Sequence, residues 1–260
     1  MAVVDRGLIP GLCSVTYRAL PAERVVALAA QAGLRAIEWG GDVHAPPGDA
    51  GRLRALRDTT KGHGLEVASY GSYFRAGPHR AADFRPVLAA AVALGAPRIR
   101  IWAGILGSQE ASRDDRDAVV AETREAARMA ADHGITIGFE FHRGTLTDTV
   151  DSTEWLLDAV GESNVTTYWQ PPLDEPVERA VAGLTRLRER VCALHVFSWW
   201  PFDTRLPLRE RADLWQRVFA VVADTGRPLD ALLEFVPEDD PTLLAPESET
   251  LRRLITEAAA

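Results

Sequence analysis

Thr136-Ile137-Gly138-Phe139-Glu140-Phe141-His142-Arg143 is the stretch whose reading decides the fold. It starts apolar and turns abruptly charged. Side chains alternate faces along a strand, so Glu140 and His142 share one face while Ile137, Phe139 and Phe141 share the other. A buried strand whose last inward residues are a carboxylate and an imidazole reads as the rim of a site. Three later apolar segments end in the same manner, at Gln170, His195 and Glu234.

Outward from this stretch the pattern is a short strand, a turn and an amphipathic helix, repeated along the chain. The strands are expected at Gly11–Tyr17, Ala36–Trp39, Leu65–Tyr70, Arg98–Trp102, Thr136–His142, Val165–Gln170, Cys192–Ser198 and Ala231–Val236. Helices are expected at Pro21–Ala32, within Pro47–His63, and at Ala82–Leu94, Arg113–His133, Ser152–Val160, Pro176–Arg190, Leu208–Asp224 and Pro241–Ala258. Pro21 suits a first helical turn, and Gly33, Gly95, Gly134 and Gly161 suit helix ends. Eight such units specify parallel pairing through right-handed crossovers and closure into a (β/α)8 TIM barrel. An open doubly wound sheet would need a phosphate-binding glycine loop after its first strand, and Cys13 to Ala19 has none. No linker or low-complexity segment interrupts residues 1–260, so one barrel domain is expected.

Composition narrows the function. Apolar residues make up 47% of the chain, ample for a large core, and the formal net charge is −8. Lys61 is the only lysine; the other basic residues are arginine. An acidic chain without a basic run is a poor partner for nucleic acid or an anionic membrane. Met1–Pro10 carries Asp5 and Arg6 and does not read as a signal peptide. No stretch approaches the roughly 18 uninterrupted apolar residues of a membrane helix. Cys13 and Cys192 lack a CxxC partner and read as buried free thiols, which points to the cytoplasm.

Barrel active sites lie at the C-terminal strand ends. The polar residues at late strand positions are Glu38, Tyr70, Ser72, Arg100, Trp102, Glu140, His142, Gln170, His195, Ser198 and Glu234. Glu140, Gln170, His195 and Glu234 come from four successive strands and offer two carboxylates, an amide and an imidazole. That donor set suits a divalent ion such as Mn²⁺, Mg²⁺ or Co²⁺. One polar strand end is usually structural; four in a row at the same end are harder to explain that way.

At these residues the chain resembles the xylose isomerase-like barrels of the sugar phosphate isomerase and epimerase group. Ala32-Gly-Leu-Arg-Ala-Ile-Glu-Trp39 is similar to the end of that group's first helix and its second strand. The resemblance implies one divalent metal held by Glu, Asp, His and Glu on strands five to eight. Glu140, His195 and Glu234 match three of these positions; Gln170 stands where Asp is expected, and Leu173 where many relatives carry a His. It also implies isomerase or epimerase chemistry on a small sugar-like substrate, a keto-sugar or a sugar phosphate. Glu140 and Glu234 would then be the catalytic pair, one removing a proton beside a carbonyl and the other returning it.

Further residues are weighed as substrate contacts. Arg100 could bind substrate or form a buried ion pair with Glu38. His142 shares the face of Glu140. His44 lies in the loop after strand two, and Tyr70 and Trp102 end strands three and four, where rings can stack on sugars. The loop Ser198–Leu208 carries Trp199, Trp200, Pro201, Phe202 and Arg205. It is either a cover over the site or a homodimer contact, with Arg205 able to reach a substrate oxygen. Two alternatives stay open: a dehydratase or lyase on a keto-sugar or inositol-like compound, and a carbohydrate-binding barrel without turnover. A multi-zinc DNA-repair nuclease ranks low, because the chain has only six His and an acidic balance.

Overall fold

The computed structural model describes residues 7–258. Residues 1–6, on which much of the leader-free reading rests, and residues 259–260 lie outside the described residues. The barrel strands are β1 (Leu8–Cys13), β2 (Ala36–Gly40), β3 (Glu66–Arg75), β4 (Arg98–Trp102), β5 (Thr136–Phe139), β6 (Val165–Trp169), β7 (Val191–Val196) and, after a two-stranded hairpin, β10 (Leu229–Leu233). They close in the order β1-β10-β7-β6-β5-β4-β3-β2, with parallel pairing throughout. The outer helices are α1 (Ala22–Gln31), α2 (Ala50–Gly62), α3 (Ala81–Leu94), α4 (Arg113–Ala131), α5 (Val150–Val160), α6 (Val177–Leu187), α7 (Ala212–Ala223) and α8 (Leu244–Ala258). Among the described residues, no helix is long and apolar enough to cross a membrane.

Local chemistry explains where the elements depart from expectation. β1 lies earlier than Gly11–Tyr17 because Ser14–Tyr17 forms a 3-10 turn. Hydroxyls there replace ladder bonds: Ser14 Oγ accepts from Gly40 N at 2.9 Å and Thr16 Oγ1 from Phe235 N at 3.0 Å. β10 ends before Val236. Glu234 N still donates to Val196 O at 3.0 Å, but Phe235 adopts φ 54° and turns the chain away. β7 also ends early, at Val196. The hairpin that follows, β8 (Ser198–Trp199) with β9 (Arg205–Leu206), is antiparallel. α4 begins at a capping box in which Ser112 N donates to Asp115 at 2.9 Å and Asp115 N to Ser112 Oγ at 3.2 Å.

The large aromatics, Phe84, Trp169, Trp215 and Phe219 among them, pack between strands and helices. Inside the barrel the apolar residues are mostly small: Cys13, Ala36, Ala68 and Ala193 beside Tyr168 and Leu232. They leave room for charge. At the lower level Arg98 forms a close ion pair with Asp230 and donates to Cys192 O at 3.0 Å and Tyr168 Oη at 3.1 Å. A Cβ at Gly138 would lie 2.6 Å from the Tyr168 ring, so glycine is needed for that ring to pass.

Candidate active site

A cavity of about 340 Å³ opens at the C-terminal ends of β5, β6, β7 and β10. Glu140, His142, Gln170, Trp199 and Glu234, all expected at the site, line it. Glu140 follows the last residue of β5, and Glu234 follows β10. In the barrel order these strands stand three places apart, so the two carboxylates reach the cavity from well-separated points of its rim.

Beneath the cavity runs a buried chain of charges. Arg100 Nη1 lies 2.7 Å from Glu140 Oε2, and Arg100 Nε lies 3.6 Å from Glu38 Oε1. Glu38 Oε1 is 3.5 Å from His195 Nε2. His195 Nδ1 is 3.4 Å from Glu234 Oε2 and 3.2 Å from Gln170 Oε1. The chain therefore links one candidate catalytic carboxylate to the other.

Electrostatics follow from this packing. Burial works against the Glu38 charge, but Arg100, His195 and the Ser69 hydroxyl hold its carboxyl well below the usual range. Burial, with Glu140 and Glu38 nearby, raises the Glu234 carboxyl in spite of His195 and Arg100. Burial favours a neutral His195, yet Glu234 and Glu38 outweigh it and raise the ring's pKa. Three carboxylates stand against one guanidinium, a formal −2 with neutral His195.

That surplus is what a divalent cation would neutralise, and the donors fit one. Oxygen and nitrogen donors around a small divalent ion, each bonded at roughly 2.1 Å, lie about 3 Å apart. His195 Nδ1 stands at comparable distances from Gln170 Oε1, 3.2 Å, and from Glu234 Oε2, 3.4 Å. Cys13 Sγ, a His195 nitrogen and a Glu234 oxygen also lie within 4.8 Å of one another. Burial, then Glu38 and Glu234, push the Cys13 thiol up, which favours the protonated form, a poor ligand for a hard cation. Glu140, the fourth expected ligand, is drawn toward Arg100 instead of His195.

Other expected contacts are placed elsewhere. Arg100 is 3% exposed and sits one layer below the cavity, spent on Glu140 and Glu38. His44 is buried with Nε2 2.9 Å from Leu20 O, a structural position away from the cavity lining. Tyr70 Oη donates to Ala45 O at 2.9 Å and borders a separate cleft. Trp102 packs between the Arg75 guanidinium at 4.2 Å and the His142 ring at 4.7 Å. Arg205 pairs with Asp239 at 2.7 Å and lies over the Trp199 and Phe235 rings. Phe202, from the loop expected to cover the site, also lines the cavity, whereas sequence reading missed Asp148, Phe197 and Phe235 in its lining. Phe197 and Phe235 each neighbour a strand end already singled out, and that adjacency was the available signal. Asp148 had none.

Residues 26–252 match the family described as xylose isomerase-like TIM barrel. No curated protein sequence matches the chain. Among solved structures, it is similar to the probable 3-DHS dehydratase AsbF involved in petrobactin synthesis from Bacillus anthracis: TM-score 0.77, 20% identity, 94% of this chain and 98% of that chain. It is similar to 3-keto-D-glucoside 4-epimerase YcjR from E. coli: TM-score 0.74, 14% identity, 96% and 99% covered. It is also similar to a xylose isomerase-like TIM barrel protein from Mycobacterium smegmatis in complex with magnesium: TM-score 0.71, 15% identity, 98% of each chain covered. At such identities the likeness to these structures is one of fold. The match over residues 26–252 goes further, and by it the chain belongs to the xylose isomerase-like TIM barrel family.

Proposed function

We propose that the protein is a metal-dependent isomerase or epimerase of a small sugar-like substrate, acting by proton abstraction beside a carbonyl. The observation that carries this reading is that Glu140 and Glu234, from separated strands, line one cavity above a shared charge network. A substrate carbon between them can lose its proton to one carboxylate and regain it from the other. Arg100 holds the Glu140 side chain in place at the cavity floor. Phe197, Trp199, Phe202 and Phe235 give the cavity an aromatic wall. Such rings pack on the C–H face of a sugar and exclude water that would protonate the intermediate at random. Gln170, His195 and Glu234 would hold the divalent ion, with Glu140 at the edge of the set. When bound, such an ion supplies Lewis-acid stabilisation for charge developing on a substrate oxygen. The substrate is a small-molecule carbohydrate and not a nucleic acid, in keeping with the net charge of −8.

The test is NMR of a panel of ketopentoses and ketohexoses incubated with Mn²⁺-supplemented protein in D₂O. Deuterium beside the carbonyl together with a new isomer or epimer supports the proposal. Elimination of water without an isomer would make the protein a dehydratase. Binding without any exchange would make it a carbohydrate-binding barrel.

A further inference from the structure

Glu38 belongs to β2, yet its carboxylate crosses the barrel interior to β7, three places away in the strand order. Ser69 Oγ donates to Glu38 Oε2 at 2.7 Å, which fixes the carboxylate plane. Oε1 is left between His195 Nε2 at 3.5 Å and Arg100 Nε at 3.6 Å. Oε1, Nε2 and Nε are all buried, and among the described residues none of them has a hydrogen-bond partner. Buried polar atoms without any partner are costly, so this arrangement needs a reason. The backbone also makes room for it. A Cβ at Gly71 would lie 2.9 Å from Glu38 Oε1 and 3.1 Å from Arg100 Nη2, so any larger residue would push the pair aside.

His195 is held from both sides. Its Nε2 faces Glu38, and its Nδ1 faces Gln170 Oε1 and Glu234 Oε2. An imidazole that ligates a metal through one nitrogen usually gives its other N–H to a carboxylate, which sets the tautomer and the ring angle. Arg100 already has a nearer carboxylate in Glu140, at 2.7 Å, so pairing Arg100 does not by itself account for Glu38.

We propose that Glu38 is a positioning residue: it accepts the His195 Nε2–H and so turns Nδ1 toward a divalent ion shared with Gln170 and Glu234. The ion in this statement rests on the metal-dependent function proposed above; the hold on the ring does not.

The test combines calorimetric titration of Mn²⁺ into metal-stripped protein with ¹⁵N NMR of the metal-free histidine rings, at a pH where His195 is neutral. Wild type, Glu38→Gln and Ser69→Ala are compared. Glu38→Gln is expected to weaken Mn²⁺ binding about 10- to 100-fold and to move the His195 ring away from the Nε2–H tautomer. Ser69→Ala keeps every charge and is expected to weaken binding by about 2- to 10-fold, so it decides the matter if Glu38→Gln does not fold. Unchanged Mn²⁺ affinity and unchanged ring signals in the folded variants overturn the proposal. If the wild type takes up no Mn²⁺, the metal-dependent reading fails. The ring signals then decide separately whether Glu38 holds His195: a shift in the variants sustains that hold, and no shift overturns it.

Discussion

At the scale of the residue, Glu140 and Glu234 differ in what surrounds them, and the difference separates their variants. Replacing either by Gln is expected to lower kcat by about 10²- to 10⁴-fold, read by steady-state kinetics. Stability should part company. The Glu234 carboxyl is raised by burial and by Glu140 and Glu38, so its charge is disfavoured in the folded state. Glu234→Gln should therefore hold or raise the thermal midpoint. Glu140→Gln replaces the charged 2.7 Å partner of Arg100 by a neutral amide and should lower it. Gln170→Asp adds a full negative charge beside His195 and Glu234 and is expected to tighten Mn²⁺ binding, measured by calorimetry. Glu140, Gln170, His195 and Glu234 were legible in the sequence because a charge or amide at the end of an apolar run is conspicuous. His44, Tyr70 and Arg100 were placed on the correct elements, but their reach was not legible. His44 and Tyr70 turn to backbone carbonyls, and Arg100 stops one layer short. Side-chain direction after a strand ends is set by contacts distant in sequence. Phe141, assigned by alternation to the face opposite Glu140, lines the cavity with it because β5 stops at Phe139.

At the scale of the element, the β8–β9 hairpin is the part the sequence hid. Its strands are two residues each, too short for any alternation to register. Tertiary contacts define it. Phe202 N donates to Asp174 Oδ1 at 2.6 Å, and Arg205 pairs with Asp239 at 2.7 Å. Asp174, Phe202, Phe235, Glu238 and Asp239 all take positive φ without being glycine, and they sit in the loops around this one rim. Left-handed backbone at such residues costs about 1–3 kcal/mol each and persists where surrounding contacts enforce it. The hairpin separates its tryptophans: Trp199 lines the cavity, whereas Trp200 is 39% exposed and packs on Arg211. Trp199→Ala is therefore expected to raise KM or lower kcat, and Trp200→Ala to leave kinetics near normal. Light scattering run beside the kinetics reads the other possibility. Dissociation of a dimer by Trp200→Ala would assign that ring to an interface between copies, and loss of turnover would return it to the cover.

At the scale of the whole molecule, the alternation of strand and helix carried the fold, because each unit repeats the same two periods and several of its helices end on glycine. The interior was less legible. Polar residues on inward positions look alike in sequence whether they face a site or one another. Here Arg98–Asp230 and the Glu38–Arg100–Glu140 group form stacked charged levels within the barrel. Their removal should be felt globally. Arg100→Leu strands two buried carboxylates and is expected to cost about 3–5 kcal/mol, measured by chemical denaturation. The cavity stands on this charged floor, and with Glu234 added the carboxylates of the upper level exceed its one guanidinium by a formal two charges, which the proposed divalent ion would neutralise. The direct measurement is an anomalous difference map from crystals soaked in Mn²⁺. The predicted result is one strong peak bounded by Gln170, His195 and Glu234. A map without a peak there, or with the ion bound elsewhere in the barrel, would contradict it.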